Sequence, residues 1–512
     1  MTHPSEDSTQ QLRWGVYCLL IAMAVGNMSG RILAVNAVNR ADLERHVISN
    51  EVKKARVKLE ARLEKEEITE AEFEEKLAAA TARYTKAKQM QRPFLSANDR
   101  SRWMAVRALV EQGTYQIDGV IDTYLWNTID MVQHRGRDGE LHLYSSKPPL
   151  LITLLAGEYW LINKVTGMTL ESHPYFVGRL MLITVNVLPM VLMFFLVAKL
   201  ADRLGTTDWG RIFVVAAATM GTMLMPFAVV LNNHIIGAVS AAVALYAFVR
   251  IRCDGETAVK YYVLAGLAAA FAAANELPAL ALLAMLAVGL WMCSPRAWLV
   301  GFVPAAAVVV VAFFVTNYAA HASWTPPYMH KGSDDPELDW YKYTYIKPNG
   351  REQLSYWQDR KGIDVGEESV SKYAFHVLIG HRGIFSLTPI WLASIFGMLM
   401  WLKGGDRDKR LLALGVLALS VICLYFYIGL RPQEDRNYGG MSNGFRWMFW
   451  FAPLWLTVML PAADWLGRTR GRQALGMVLL AFSVLSASYP TWNPWTHPWV
   501  YRWLEYCGWQ GF

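Results

Sequence analysis

From about residue 175 onward, apolar stretches alternate with short polar loops, and one further apolar stretch lies near the N-terminus. About eleven stretches predict membrane-spanning helices, near 14–36, 175–198, 211–230, 234–251, 260–275, 279–293, 297–316, 384–402, 410–429, 447–465 and 473–490. The loops between them differ in charge. Lys199, Arg203 and Arg211 flank one, and Arg250, Arg252 and Lys260 flank a second. Lys403, Arg407, Lys409 and Arg410 fill a third, and Arg468, Arg470 and Arg472 a fourth. With the N-terminus inside, all four are cytoplasmic.

The stretch KPPLLITLLAGEYWLINKV (147–165) is also apolar. Counted as a span, it would turn every later loop around and carry Glu158 and Lys164 into or near lipid, which is costly unless they are paired. It is therefore expected as an interfacial or re-entrant helix on the outer face, with Pro148 and Pro149 in its first turn, where no amide donor is needed. The pattern divides the chain into a tail and first span (1–36), a first outer segment (37–174), a block of spans (175–316), a second outer segment (317–383), C-terminal spans (384–490) and a Trp-rich outer tail (491–512). Within the first outer segment, a run dense in charge and good helix formers, broken near Ile68–Thr69, predicts a solvated helical hairpin, a docking element at most.

Composition fixes the class. Of 512 residues, 54% are hydrophobic, and mean hydropathy is +0.21, which indicates an all-α polytopic membrane protein with outer-face juxtamembrane helices and two large outer loops. The net charge of +7 sits in short loops between apolar runs, so it reports topology and not a nucleic-acid partner. The five cysteines lack metal spacing, and only Cys507 falls in an outer segment, so no structural disulfide is expected there. The first stretch, interrupted by Asn27, Ser29 and Arg31, is read as an uncleaved span. No internal repeat is visible.

Polar residues of chemical interest gather at outer helix ends. Asp99 opens an amphipathic helix in which Trp103, Val106, Leu109 and Val110 share one face; an ordinary N-cap is the simplest reading of it. Arg102, Tyr144, His234, Glu276, His381 and Arg382 are further cavity candidates, as are the arginines of RPQEDRNYGGMSNGFRWM, Arg431, Arg436 and Arg446. Each has a plain alternative: His234 as a cap, Glu276 as a turn, the arginines as contacts to lipid headgroups, the glycines as a loose loop. Together they suit an amphipathic substrate with a charged head.

NDRSRWMAVRALVEQGTY resembles the first outer-loop motif of the GT-C integral membrane glycosyltransferases. YSSKPPLLITLLAGEYWL resembles the E-K-P-P-L helix of lipid A aminoarabinose transferases and the H-P-P-L segment of protein O-mannosyltransferases, and HPYFVGRLMLITVNVL is similar to the segment that follows in those enzymes. GHRGIFSLTP and GGMSNGFRWMFWFAPL resemble bacterial members. The resemblance implies an enzyme of a bacterial inner (cytoplasmic) membrane with its site on the periplasmic face. It would move a sugar from a polyprenyl-phosphate sugar donor to a lipid, glycan or protein acceptor. Asp99 would be the catalytic base, and Lys147, Arg179 and Arg446 would hold the donor phosphate. An inverting transfer needs one base only. The chain departs from the family at Asn98, where an acidic pair is expected, and at Ser146, where an acid precedes Lys–Pro–Pro; the hairpin is an insertion. These departures leave a divalent metal unsupported, and no other cofactor is implied. Membrane lipids are the remaining expected partners. The competing readings are a transporter or flippase for a lipid-linked glycan and a catalytically inactive relative.

Overall fold

The computed structural model describes residues 6–34, 40–88, 94–123, 126–333, 335, 338–347 and 350–509. The segment boundary expected at residue 36 and the last three residues of the tail lie outside them. Among the described residues, eight helices are long and apolar enough to cross a membrane: Ser8–Ala34, Pro174–Leu204, Asp208–Phe227, Asn233–Asp254, Pro295–His321, Arg407–Ile428, Arg446–Leu466 and Arg470–Ser488. Three shorter apolar helices, Val259–Asn275, Leu277–Cys293 and Ile390–Gly404, occupy the other predicted positions. Strands among the described residues form two small hairpins, Met131–Arg135 with Leu141–Ser145 and Thr344–Ile346 with Glu352–Leu354. The chain is an all-α polytopic membrane protein.

One end of the bundle gathers the basic loops. Arg13 Nε donates to Asp202 at 2.7 Å, Arg203 pairs with Asp254, and Arg252 pairs with Asp408 at 2.9 Å. Asp464, near the fourth basic loop, accepts from the amide and hydroxyl of both Thr206 and Thr207, at 2.7–2.9 Å. A buried carboxylate is costly, and four donors offset that cost.

The other end carries the outer segments. Ser96 caps Ala97–Glu111 by accepting from the Asp99 amide at 3.1 Å. Trp103 is fully buried and stacks on Phe94 with centroids 4.4 Å apart, an arrangement that anchors this helix on the bundle. Pro148 is the N-cap of Pro149–Thr166, and Gly167 ends that helix at φ +70°. Leu151, Leu155 and Tyr159, four apart, are buried, while Leu154, Leu161 and Val165 are exposed on the opposite side. Glu158 has its partner in Thr184, through a short hydrogen bond. The Gln133 amide donates to the Trp340 carbonyl at 2.9 Å, and Trp340 stacks on His134, so the two outer segments fold against each other. The inserted hairpin is Arg40–Leu63 and Glu70–Lys88; Thr69 and Glu72 exchange bonds of 2.9 and 3.3 Å in a capping box, which explains the break at Ile68–Thr69.

Candidate functional site

Three clamps hold the connection that leads into Asn233–Asp254. Asn186, from a π-turn within Pro174–Leu204, donates to the Ala228 and Val230 carbonyls at 2.8 and 2.9 Å. Asn232 caps the helix, its Oδ1 accepting from the Ile235 amide at 3.0 Å. Asp99 Oδ1 accepts from the Leu231 amide at 2.8 Å. The result delivers Asn233 and His234 to Glu276, which sits where Pro278 separates two short apolar helices. Gly237 allows that approach: a Cβ there would meet Glu276 Cγ at 2.9 Å.

These residues wall a cavity of about 490 Å³ at the end of the bundle opposite the basic loops. On one wall Lys147 Nζ lies 3.2 Å from Asp130 Oδ1, both side chains partly open. Arg102 donates to Asn98 Oδ1 and Asn233 Oδ1, each at 2.6 Å. On the facing wall Arg446 donates to His234 Nε2 at 2.8 Å and to the Gly439 carbonyl at 2.7 Å. An arginine cannot accept, so His234 keeps its proton on Nδ1 and donates it to Glu276 at 2.5 Å; the ring is neutral. Glu276 also accepts from Asn233 at 2.8 Å. Burial among these cations lowers the Lys147 ammonium to about 8, with Asp130 opposing the shift, and lowers Arg102 to about 10. Arg431 lies over the Trp447 ring at 4.1 Å. The rim is apolar, with Leu277 43% and Leu430 59% exposed.

Of the residues expected from sequence, Lys147, Arg431, Arg446, Arg102, His234 and Glu276 line this cavity. Asp99 does not. It is 1% exposed, and its carboxylate accepts from Trp103 Nε1 (2.9 Å), the Leu231 amide (2.8 Å) and the Leu95 amide (3.2 Å). Burial raises its carboxyl to about 6, but those donors occupy it and the cavity does not reach it. The residue expected as base ties the start of Ala97–Glu111 to the connection before Asn233–Asp254. Arg179 lies on Pro174–Leu204 outside the lining. Tyr144 stacks on His134 at 4.2 Å inside the outer-segment core. Arg382 pins a loop by donating to the Ser442 carbonyl at 2.6 Å and to His497 at 2.9 Å, and His381 packs beside it against Tyr438 and Tyr501. The glycine-rich loop is a formed one: Gly439, at φ +80°, supplies the carbonyl that holds Arg446.

Asp130 was not expected. It precedes the strand that pairs Met131 with Ser145, and only that register brings it beside Lys147. Lys331, Tyr341, Trp357 and Asp435 enter the lining from the second outer segment and the loop after Arg407–Ile428. Among the described residues no three His, Cys, Asp or Glu side chains converge as metal ligands. The cavity carboxylates also do not suit a divalent ion, since Asp130 is paired with Lys147, Glu276 with His234 and Asp435 with Lys331.

No family model matches the chain, and the comparison with curated proteins gives no match. Solved structures of an Archaeoglobus fulgidus oligosaccharyltransferase are similar at low levels. Its apo form shows 12% identity and a TM-score of 0.38, covering 78% of this chain and 52% of that one. The oligosaccharyltransferase AglB from Archaeoglobus fulgidus, in complex with an inhibitory peptide and a dolichol-phosphate, shows 11% identity and a TM-score of 0.37, covering 78% and 51%. The chain thus spans about half the length of these archaeal transferases.

Proposed function

We propose that the protein is a GT-C-type membrane glycosyltransferase that moves a sugar from a polyprenyl-phosphate-type lipid donor to a lipid, glycan or protein acceptor at the outer face of a bacterial inner membrane. Asp130 takes the role of base, and Lys147, Arg102 and Arg446 hold the phosphate. The observation that carries this reading is the pairing of one carboxylate, Asp130, with Lys147 inside a cavity that is cationic within and apolar at its rim. Lys147 has three N–H donors, so it can hold Asp130 and still meet a phosphate oxygen.

In the transfer, the acceptor oxygen or nitrogen attacks the anomeric carbon, and its proton passes to the Asp130 carboxylate. The bond from the anomeric carbon to the phosphate oxygen breaks with its electron pair on that oxygen, and the configuration inverts. The leaving phosphate gains one negative charge, which the fixed cations stabilise; a donor of this kind commonly contributes about 10²–10³-fold in rate. Pro149–Thr166 lies along the membrane surface in this reading, with its exposed leucines toward lipid. A transporter would place its charges near mid-span, and here they stand at helix ends. Incubation of the purified protein with a panel of sugars linked to polyprenyl phosphate and to polyprenyl diphosphate, followed by measurement of the released polyprenyl phosphate or diphosphate, tests the proposal. Release that is absent with every donor, or unchanged in both Asp130→Asn and Lys147→Ala, overturns it.

A further inference from the structure

Five cations line the cavity, Arg102, Lys147, Lys331, Arg431 and Arg446, against three carboxylates, Asp130, Glu276 and Asp435. With His234 neutral, the walls carry an excess of two positive charges. Four of the five have a protein acceptor. Lys147 has Asp130, Lys331 has Asp435, Arg102 has Asn98 and Asn233, and Arg446 has His234 and the Gly439 carbonyl. Arg431 has none among the described residues, and its Nε is shut off from solvent without a partner. Its guanidinium is held by rings instead, 4.1 Å from the centroid of Trp447 and 5.4 Å from that of Tyr427, which themselves stack 5.1 Å apart. A guanidinium supported in this way keeps its in-plane N–H groups for a ligand and matches phosphate with two parallel bonds. It stands at the apolar rim beside Leu430 and lines the same cavity as Arg446 and Lys147.

We infer that Arg431, together with Arg446, forms a second anion subsite in this cavity, and that the lipid donor carries a diphosphate and not a single phosphate. The inference rests on the transferase reading. A sugar linked to a polyprenyl monophosphate brings one negative charge, and one linked to a diphosphate brings two, which matches the excess on the walls. The phosphate bonded to the sugar meets Lys147 and Arg102, and the phosphate bonded to the lipid meets Arg431 where the tail leaves for the bilayer. A phospholipid headgroup offers the same phosphate chemistry at that mouth, so the test separates the two sources.

The test uses the full chain in phosphatidylcholine nanodiscs and compares binding of polyprenyl monophosphate and polyprenyl diphosphate of equal chain length. The expected result is that the diphosphate binds at least about tenfold more tightly. Arg431→Gln should erase that ratio by weakening the diphosphate about tenfold while leaving the monophosphate within about twofold. A wild-type ratio near one overturns the inference whatever the variant does, and so does an equal loss for both ligands in Arg431→Gln. Phosphatidylglycerol that displaces the diphosphate from the wild type but not from Arg431→Gln assigns the subsite to a headgroup and also overturns it. If both ligands bind equally and need Lys147 but not Arg431, the transferase reading stands and only the subsite falls. If neither binds, the transferase reading falls with it.

Discussion

The sharpest prediction sets two carboxylates against each other, Asp99→Asn and Asp130→Asn. At Asp99 the amide keeps one oxygen for Trp103 Nε1 and the Leu231 amide and turns its NH₂ toward the Leu95 amide, the longest of the three contacts. Losing that bond and opposing two donors costs about 1–3 kcal/mol. The change also removes a buried charge. Burial raises the Asp99 carboxyl to about 6, above its unfolded value, so its contribution is most favourable at low pH and is lost as pH rises through 6. A rise of that size amounts to about 3 kcal/mol of penalty at neutral pH. The two effects nearly cancel, so Asp99→Asn should keep its thermal midpoint within a few degrees at pH 7 and lose the fall in stability between about pH 4 and 6. Its turnover should change by less than about tenfold. Asp130→Asn takes the carboxylate away from Lys147 in a pair largely shielded from solvent, at about 1–3 kcal/mol of stability. Its turnover should nevertheless fall about 10²–10⁴-fold, because an amide takes no proton. The assay is single-turnover release of the polyprenyl carrier, as its phosphate or diphosphate, with unfolding followed in parallel by differential scanning fluorimetry. An Asp99→Asn variant that is folded but inactive, beside an active Asp130→Asn, would refute the reasoning and return the base to Asp99.

Lys147, lowered to about 8 by burial, is charged below that pH, so binding of polyprenyl phosphate should weaken as pH rises through 8, and Lys147→Arg should flatten that dependence; a profile that is flat in the wild type would count against its contact with phosphate. Asp464→Ala strands four donors from Thr206 and Thr207 and should lower stability by about 3 kcal/mol or more without altering donor affinity, as read by thermal unfolding and binding on the same preparation. In a background without native cysteines, Lys164→Cys should be labelled from the outer face and Asp208→Cys from the cytoplasm; labelling of both from one side would break the topology.

The helical stretches were legible because a chain in lipid must satisfy every backbone group within each segment, and that requirement leaves long apolar runs in the sequence. Val259–Asn275 and Leu277–Cys293 were readable as separate helices from Glu276 and Pro278 alone. The candidate site was legible only in part. His234, Glu276 and Arg446 could be singled out because polar residues at outer helix ends are unusual against apolar neighbours, and Lys147 because of the K-P-P-L stretch it opens. Asp99 was the base that the resemblance implied and yet faces inward, since the sequence shows a carboxylate at a helix start but not the Leu231 amide that reaches it from a distant loop. Asp130 carried no motif. Its place beside Lys147 depends on a hairpin register, Met131 opposite Ser145, for which the sequence offers no periodic sign. Arg431 was visible as one basic residue among several, and its difference from Arg436, which donates to the Glu368 carbonyl, lies in partners and not in residue type.

The apolar rim at Leu277 and Leu430 bears on what concentration means for this protein. A ligand with its head in the cavity and its tail among acyl chains arrives by sliding within the bilayer, and at about 0.8 kcal/mol per buried methylene a long tail all but abolishes its presence in water. The quantity that sets occupancy is then the mole fraction of donor in the membrane. Diluting vesicles tenfold in buffer at fixed composition should leave turnover per protein unchanged, while diluting the donor tenfold with inert lipid should slow it.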